Sequence, residues 1–160
     1  PHDLCRVLDG VIRFVKCDAR VKAMNVMFEP TVRPLVDMDA GRMRQVFINL
    51  IRNAADAIDH DNGRIDIQIR EQGEQVIIEF LDNGGGISAE AAARLFEPFY
   101  TTKGDKGLGL GLDISRKIVR AHHGTLSFDA NDAGGTIFRI IMPTVQEADD
   151  LEFSFGPAGS

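Results

Sequence analysis

The strongest structural signal in the sequence comes from residues 39–59, which read DAGRMRQVFINLIRNAADAID. Apolar side chains recur there every three or four residues, the spacing that gathers them on one face of an α-helix. Asp39 is a typical N-cap residue at the start of this pattern, and Asp61-Asn62-Gly63 predicts a turn after its end. Such a helix must pack on a second layer. Its predicted apolar face consists of Met43, Val46, Phe47, Leu50, Ile51, Ala54 and Ile58.

The same helix carries a second, polar face made of Gln45, Asn49, Asn53 and Asp56. Spacings of four, four and three residues place these side chains side by side. Asparagine is a mediocre helix former, and a face that only meets water would ordinarily carry Lys, Glu or Arg. An Asn oxygen is also a neutral, hard ligand of the kind that Mg²⁺ accepts together with waters and phosphates. A solvated helix face and a magnesium site both remain open at this point.

The segments around this helix predict a sheet. Ile65, Ile67 and Ile69 alternate with polar residues, and a second alternating segment ending at Phe80 follows the turn at residues 72–74, which is the pattern of a hairpin. Helices mixed with hairpins, without regular βαβ units, predict an α+β two-layer sandwich. The other predicted elements are a helix after Asp3, strands at Met24–Glu29 and Val32–Val36, a helix at about 109–122, and a hairpin of 125–129 with 136–142.

Length and charge limit the possible functions. The chain has 160 residues, enough for one domain with a sizeable core, and 24 acidic against 18 Lys and Arg side chains give a net charge of -6. No segment approaches the ~20 apolar residues of a membrane span, and a negative chain is a poor nonspecific ligand for nucleic acid or anionic membrane. We expect neither contact from this segment. Residues 1–145 are predicted to form the domain, and residues 146–160 an acidic flexible tail or linker.

A glycine-rich loop, Asp82-Asn83-Gly84-Gly85-Gly86-Ile87, follows the second strand of the first hairpin. Three glycines in a row allow a sharp turn and a close approach of the backbone to a flat ligand. Asp82, at the strand end, is placed to accept a hydrogen bond from an exocyclic amine. Without further context, a simple strand-to-loop turn explains the segment equally well.

A second glycine-rich segment, Gly107-Leu108-Gly109-Leu110-Gly111-Leu112, opens the later helix. Glycines at a helix start expose backbone amides and the positive end of the dipole, which together attract anions. The segment is neither a dinucleotide fingerprint, because Leu112 stands where Gly or Ala is required, nor a Walker loop. Donors that would neutralise phosphate charge precede it: Thr101, Thr102, Lys103 and Lys106.

An aromatic segment, RLFEPFY at residues 94–100, lies between the two glycine-rich regions. It contains Phe96, Phe99 and Tyr100. We interpret it as part of the core that also hinges a lid running from about Thr101 to Lys106.

Taken in order, these segments resemble the N, G1, F, G2 and G3 boxes of sensor histidine kinases. The resemblance runs from about residue 39 to 143 and implies the Bergerat, or GHKL, ATP-binding fold. In that fold a mixed, mostly antiparallel sheet packs on about three helices. The matching segments are Asn49–Ala57, Asp82–Gly86, Phe96–Phe99, Gly107–Gly111 and Gly135-Thr136.

The resemblance also implies roles for individual residues in binding ATP and Mg²⁺. Asn53 would coordinate the metal with support from Asn49, Asp82 would bind the adenine amino group, and Lys103 would hold phosphates. One departure is Gly85, where the family often has proline or a bulkier residue. The implied catalytic residues are Asn49, Asn53 and Lys103. The implied nucleotide-binding residues are Asn53, Asp56, Asp82, Gly84, Gly86, Ile87, Phe99, Thr101, Thr102, Lys103, Lys106, Gly107, Leu108, Gly109, Leu110, Gly111 and Thr136.

Asn49 separates members of this superfamily. ATP-hydrolysing relatives and anti-sigma serine kinases usually have Glu at this position, where it acts as a general base. An amide cannot take a proton. Asn49 therefore favours transfer to an imidazole, which at neutral pH can attack without such a base.

The phosphoacceptor histidine is predicted to lie outside this chain. Family acceptors are followed by Glu or Asp on a long dimerising helix, and none of His2, His60 and His122-His123 has that setting. We therefore expect two partners, a dimerisation domain of the same full-length kinase and a response regulator receiver domain. The expected location is the bacterial cytoplasm, with any membrane anchor in other segments. The alternatives are a catalytically inactive nucleotide-binding regulatory module, or another GHKL ATPase or serine kinase.

Overall fold

The computed structural model describes residues 1–98, 110–132 and 134–145. The predicted caps are confirmed: the Asp3 carboxylate accepts the amides of Cys5 and Arg6, and that of Asp39 accepts the amide of Arg42. The helices are α1 (Leu4–Val15), α2 (Ala19–Lys22), α3 (Ala40–Asp56), α4 (Ala89–Arg94) and α5 (Leu110–Ala121). The strands are β1 (His2–Asp3), β2 (Asn25–Phe28), β3 (Leu35–Val36), β4 (Arg64–Gln72), β5 (Gln75–Asp82), β6 (Thr125–Ala130) and β7 (Thr136–Pro143).

The strands β2, β4, β5, β7 and β6 form one sheet in that order, and β1 pairs with β3 in a separate ribbon. Within the large sheet β2 runs parallel to β4, and every other neighbouring pair is antiparallel. The predicted mixed, mostly antiparallel sheet is therefore confirmed. The two predicted hairpins, β4 with β5 and β6 with β7, meet in this sheet because β5 pairs with β7.

One face of the sheet packs on α3 and α5, and α1 packs against α3. The alternation of β4 and β5 sends Ile65, Ile78 and Phe80 toward the helices, and all three are fully buried. Phe80 contacts Phe47 of α3 with ring centroids 6.1 Å apart. Each buried side chain of this size contributes about 1.5–3 kcal/mol, so this interface is the main source of stability and holds α3 rigidly on the sheet.

Several elements differ from the sequence prediction, among them the short helix α2 and the short strand β1, which were not predicted. Helix α3 ends at Asp56, short of the expected Asp59, because the Ala57 carbonyl accepts the amide of Gly85 at 3.0 Å. The strand expected at Val32–Val36 shrinks to Leu35–Val36, since the Val32 carbonyl accepts the Cys5 thiol. Helix α4 was not predicted, although Ser88 caps it by accepting the amide of Ala91.

Among the described residues, no helix is long and apolar enough to cross a membrane. The predicted tail, residues 146–160, lies outside the described part of the chain.

Candidate functional site

A buried carboxylate, that of Asp82, lies at the end of β5. Its residue is only 2% exposed. Its Oδ1 accepts the amides of Gly84 at 2.9 Å and Thr136 at 3.3 Å. Burial raises the pKa of Asp82 and these two amide bonds oppose the rise. Both bonds donated by the described residues go to Oδ1, which leaves Oδ2 as the acceptor for an external donor.

Two glycines pack against the backbone around this carboxylate. Gly135 has a φ of +93°, and a Cβ there would lie 2.7 Å from Asp82 Oδ1 and closer still to the Asp82 carbonyl oxygen. A Cβ at Gly84 would overlap the carbonyl of Ala57, at 2.7 Å from its carbon. The loop after β5 is thus fixed on one side to β7 and on the other to the end of α3, with no room for side chains.

Asparagines hold the same loop in place. Asn83 Oδ1 accepts the amide of Arg64 at 2.8 Å, and its Nδ2 donates to the carbonyl of Asn62 at 2.9 Å. Asn131 Nδ2 donates to the Asp82 carbonyl at 3.1 Å. Gly135, Asn83 and Asn131 were not among the predicted site residues, although Asn83 and Gly135 belong to segments that were singled out. Asn131 carries no local signal, because its partner is 49 residues away.

The polar face of α3 meets the start of α5. Asn49 Nδ2 donates to Ser115 Oγ at 3.4 Å, and a Cβ at Gly111 would touch the Asn49 amide at 3.6 Å. Ser115 is fully buried, so this contact is inside the protein. Asn53, one helical turn after Asn49, is half-buried on the same face. Helix α3 therefore links the two halves of the site: Asn49 touches α5, and Ala57 touches the loop after Asp82.

Asp56 has a different surrounding from the two asparagines. Its carboxylate forms an ion pair with Arg20 of α2, and Asp18 and Arg52 extend the cluster. Arg20 remains 55% exposed in side-chain terms. The predicted role of Asp56 in nucleotide binding stays a prediction. In the structure, the guanidinium of Arg20 is already paired with the Asp56 carboxylate.

The aromatic segment is anchored as far as the structure describes it. The ring of Phe96 contacts that of Phe128 of β6 in a tilted arrangement, with centroids 5.9 Å apart. The Arg116 guanidinium lies 4.6 Å from the centre of the Phe96 ring. This contact joins the segment after α4 to α5 and the sheet. It agrees with the interpretation of the segment as core.

The structure therefore brings one group of predicted site residues together, and another group falls outside the described ranges. Asn49, Asn53 and Gly111 lie along the α3–α5 interface. Asp82, Gly84, Gly86, Ile87 and Thr136 lie at the loop after β5 or beside it, and Leu110 begins α5. Eight predicted residues fall outside the described ranges: Phe99, Thr101, Thr102, Lys103, Lys106, Gly107, Leu108 and Gly109.

The donor set on α3 suits a hard cation. Asn53 offers an uncharged oxygen, and no group of three His, Cys, Asp or Glu side chains in the described residues forms an all-protein metal cage. Mg²⁺ is typically held by one or two protein oxygens together with substrate phosphates and waters. The side chains of α3 therefore fit a magnesium ion that arrives with a phosphorylated ligand.

A family model described as histidine kinase-, DNA gyrase B- and HSP90-like ATPase matches residues 38–146. The chain belongs to this family. Relatives of this chain within the family are sensor histidine kinases. The C4-dicarboxylate transport sensor protein DctS of Rhodobacter capsulatus is 41% identical over 71% of this chain, and Sporulation kinase B of Bacillus subtilis is 35% identical over 88% of it. The chain spans 18% of DctS and 33% of Sporulation kinase B.

Solved structures of histidine kinases share the architecture. The nucleotide-free catalytic domain of histidine kinase ThkA superposes with a TM-score of 0.78 at 30% identity, covering 89% of this chain and 93% of that one. ThkA in complex with response regulator protein TrrA superposes with a TM-score of 0.73 at 28% identity, over 90% of this chain and 41% of that one. The ATPase domain of this sensor-kinase family therefore has the fold seen here.

Proposed function

We propose that the chain binds Mg-ATP and transfers the γ-phosphoryl group to a histidine on a dimerisation domain outside residues 1–160. Residues 1–145 would form the catalytic domain, and residues 146–160 a tail or linker. The observation that carries this proposal is Asp82, a buried carboxylate whose Oδ1 accepts two amides and whose Oδ2 accepts no hydrogen bond from the part of the chain that the structure describes.

Asp82 would select the base. Its Oδ2 would accept a hydrogen bond from the 6-amino group of adenine. Because Gly84 and Thr136 fix Oδ1, the carboxylate cannot turn away from the ligand. The glycines beside it let a flat ring approach the backbone. Gly84, Gly86, Ile87 and Thr136 would form the walls of the base pocket.

The phosphates would lie toward α3 and α5. Asn53 would hold the magnesium ion, which neutralises phosphate charge when bound, and Asn49 would support Asn53 from the preceding turn. The start of α5 at Leu110 and Gly111 would direct backbone amides at the phosphates. Lys103 and Lys106, with Thr101, Thr102 and the amides of Gly107 and Gly109, would supply the remaining donors.

In the proposed reaction, an imidazole nitrogen of the acceptor attacks the γ-phosphorus. A nitrogen–phosphorus bond forms, the bond to the β–γ bridging oxygen breaks, and ADP leaves with that electron pair. Asn49 argues against the competing hydrolysis, because its amide, already donating to Ser115 Oγ, cannot accept a proton from water. A histidine acceptor needs no such base.

Two partners follow from the proposal. One is the dimerisation domain that carries the acceptor histidine, and the other is a response regulator receiver domain, as ThkA has in its complex with TrrA. We also infer that the domain works in the bacterial cytoplasm, where ATP is available. No contact with nucleic acid or membrane is proposed for this segment.

The test is phosphoryl transfer in trans. The chain is mixed with a separately produced dimerisation domain and labelled ATP, and acid-labile phosphohistidine is measured. Asn53→Ala is expected to reduce transfer at least a hundredfold, while Asn25→Ala, an exposed asparagine on β2, leaves it unchanged. No phosphohistidine with the unmodified chain would contradict the kinase assignment.

A binding measurement separates the kinase from an inactive nucleotide-binding module. The chain is titrated with a nonhydrolysable ATP analogue with and without Mg²⁺. Affinity that rises with Mg²⁺ supports the kinase, and Asn53→Ala should abolish the rise while weakening metal-free binding little. Affinity that is independent of Mg²⁺ supports the inactive module.

A further inference from the structure

The short helix α2 is anchored beside α3. Its Val21 is fully buried, and the Asp18 carboxylate caps the helix by accepting the amide of Arg20 at 3.0 Å. Arg52 Nε of α3 lies 3.8 Å from Asp18 Oδ2, and Arg52 stands one helical turn before Asp56. The main chain of Arg20 is therefore held next to the part of α3 that carries Asp56.

The guanidinium of Arg20 bridges two carboxylates. Its Nη2 donates to Asp18 Oδ2 at 3.2 Å, and its Nη1 donates to Asp56 Oδ1. Because Asp18 holds one side of the planar guanidinium, the other side is directed at Asp56 before any ligand arrives. The side chain of Asp56 is 14% exposed and that of Arg20 55%, so the carboxylate is the less hydrated partner of this pair.

Asp56 belongs to the polar face of α3, together with Asn53. Residues three apart on a helix have Cβ atoms about 5–6 Å apart, so these two side chains are neighbours. In the proposed function Asn53 holds a magnesium ion, and the phosphates of ATP lie beside that ion. An uncompensated carboxylate at Asp56 would repel the phosphates, because like charges at such short distances interact unfavourably.

The charges of the cluster formed by Asp18, Arg20, Arg52 and Asp56 balance. Two carboxylates carry negative charges, and two guanidiniums carry positive ones. Removal of Arg20 would leave one negative charge in the cluster uncompensated, and it would take away the cation that is hydrogen-bonded to Asp56. The charge on the polar face of α3 thus depends on a residue of another helix.

We propose that Arg20 is a positioning residue for phosphate binding: it holds the Asp56 carboxylate toward α2 and compensates its charge, so that the polar face of α3 accepts a phosphorylated ligand. Arg20 acts through Asp56 and not by touching the substrate. This inference rests on the proposed function, because it places phosphates beside Asn53. It requires that the effect of losing Arg20 grows with the negative charge of the ligand.

A series of adenine ligands tests the proposal. Adenosine, ADP and a nonhydrolysable ATP analogue are titrated into the unmodified chain and into Arg20→Ala, with and without Mg²⁺. Adenosine is uncharged, so its affinity should be the same for both chains. Binding of ADP should be weaker in the variant, and that of the ATP analogue without Mg²⁺ should fall furthest, by about three- to tenfold. With Mg²⁺ the loss should be smaller, because the ion cancels part of the phosphate charge.

Salt and a matched variant separate this effect from damage to the fold. The loss should shrink in 1 M salt, where the screening length is about 3 Å. Arg33→Ala removes the same charge from a similar ion pair with Asp3. The twelve residues of α1, about 18 Å of helix, separate Asp3 from the segment that leads into α2. Arg33→Ala should therefore leave all three affinities unchanged. An equal loss for adenosine and the ATP analogue in Arg20→Ala would overturn the proposal.

A second substitution tests the role of Asp56. The double variant Arg20→Ala/Asp56→Asn removes both charges, so it should bind the metal-free ATP analogue more tightly than Arg20→Ala alone. If the double variant binds no more tightly, Arg20 does not act through the charge of Asp56, and the proposal is wrong.

The same titrations distinguish this inference from the proposed function. If the unmodified chain binds neither ADP nor the ATP analogue, the proposed function fails and this inference fails with it. If the unmodified chain binds both, and Arg20→Ala binds them equally well, this inference alone is overturned.

Discussion

Asp82 and Gly135 are in direct backbone contact, although 53 positions separate them in the chain. A Cβ at Gly135 would lie 2.7 Å from the Asp82 carboxylate oxygen Oδ1, and the φ of Gly135 is +93°. The neighbouring Thr136 amide donates to the same oxygen. The position of the candidate base-binding carboxylate therefore depends on the absence of a side chain at Gly135, in the turn just before β7.

Gly135→Ala should consequently damage both stability and binding. Gly134 is a matched control, because its φ is +96° but nothing lies within 4 Å of an added Cβ. Gly134→Ala should cost about 1–2 kcal/mol for backbone strain alone. Gly135→Ala should cost more in urea denaturation and also weaken binding of an ATP analogue at least tenfold. Equal losses for the two variants would show that the contact with Asp82 is unimportant.

Asp82→Asn should change which base is bound. The Asn oxygen can still accept the amides of Gly84 and Thr136, which places its NH₂ group where Oδ2 now is. A donor would then face the adenine amino group, which is also a donor. Loss of this bond, about 1–3 kcal/mol, predicts 10- to 100-fold weaker binding of the adenine analogue. An analogue with a 6-oxo purine should regain affinity in the variant, and failure to do so would contradict this orientation.

The pH dependence of stability should also change in this variant. Burial raises the folded-state pKa of Asp82 above that of an unfolded aspartate, near 3.9. The unfolded chain therefore releases its proton first. Stability linked to Asp82 is fully present below pH 3.9 and declines as pH rises through the higher folded pKa. The free energy of unfolding of the unmodified chain, minus that of Asp82→Asn, should fall over this window, and a rising difference would contradict the burial effect.

Local patterns in the sequence sufficed for most elements of the fold. The apolar repeat and Asp39 cap located α3, and alternation located β4, β5 and β7. The parallel pairing of β2 with β4 was not predictable in this way, because it depends on contacts between residues 39 positions apart, such as Val26 with Ile65. Helix α4 had a usable signal, a Ser88 cap before an alanine-rich turn, which the nearby glycines obscured.

The roles of the candidate site residues stay predictions, but where some of them lie in the fold could be predicted. Its key residues stand in compact segments, so Asn49, Asn53 and Asp82 were identifiable from their neighbours. What holds them in place was not, since Ser115 and Asn131 reach them from distant elements by single hydrogen bonds. Likewise, the ion pair of Asp56 with Arg20 is invisible in the sequence of α3 alone.

The backbone is strained just after the end of α5, and one substitution there should relieve the strain. His123 has a φ of +63°, and the amides of His123 and Gly124 close the helix by donating to Arg120 and Val119. Glycine accepts this conformation freely, so His123→Gly should stabilise the protein by about 1 kcal/mol, or 2–4 °C in Tm.

Substitution of the neighbouring His122 should have the opposite effect on stability. Its Nε2 accepts the amide of Asp39 at 3.0 Å, and its Nδ1 donates to the Ile118 carbonyl at 2.8 Å. His122→Ala should lower Tm because it leaves the Asp39 amide, at the start of α3, without this acceptor. If both variants lowered Tm, the left-handed backbone at His123 would not be the source of strain.

The glycines after Asp82 are not equivalent, and a paired substitution should show this. Gly84 has no room for a Cβ against the Ala57 carbonyl, whereas nothing lies within 4 Å of a Cβ at Gly85. The backbone of Gly85 is not left-handed, and its amide donates to Ala57 at 3.0 Å. Gly85→Ala keeps that donor and restricts the unfolded chain, so it should stabilise the protein by about 0.4–1 kcal/mol.

Gly84→Ala should instead push the loop off the end of α3 and lower both Tm and affinity for an ATP analogue. Gly85→Pro should be worse than Gly85→Ala, because proline has no N–H to donate to Ala57. Thermal melts of the three variants decide the order. If proline proves the most stabilising, the Gly85 amide is not holding the loop, and the early end of α3 at Asp56 needs another cause.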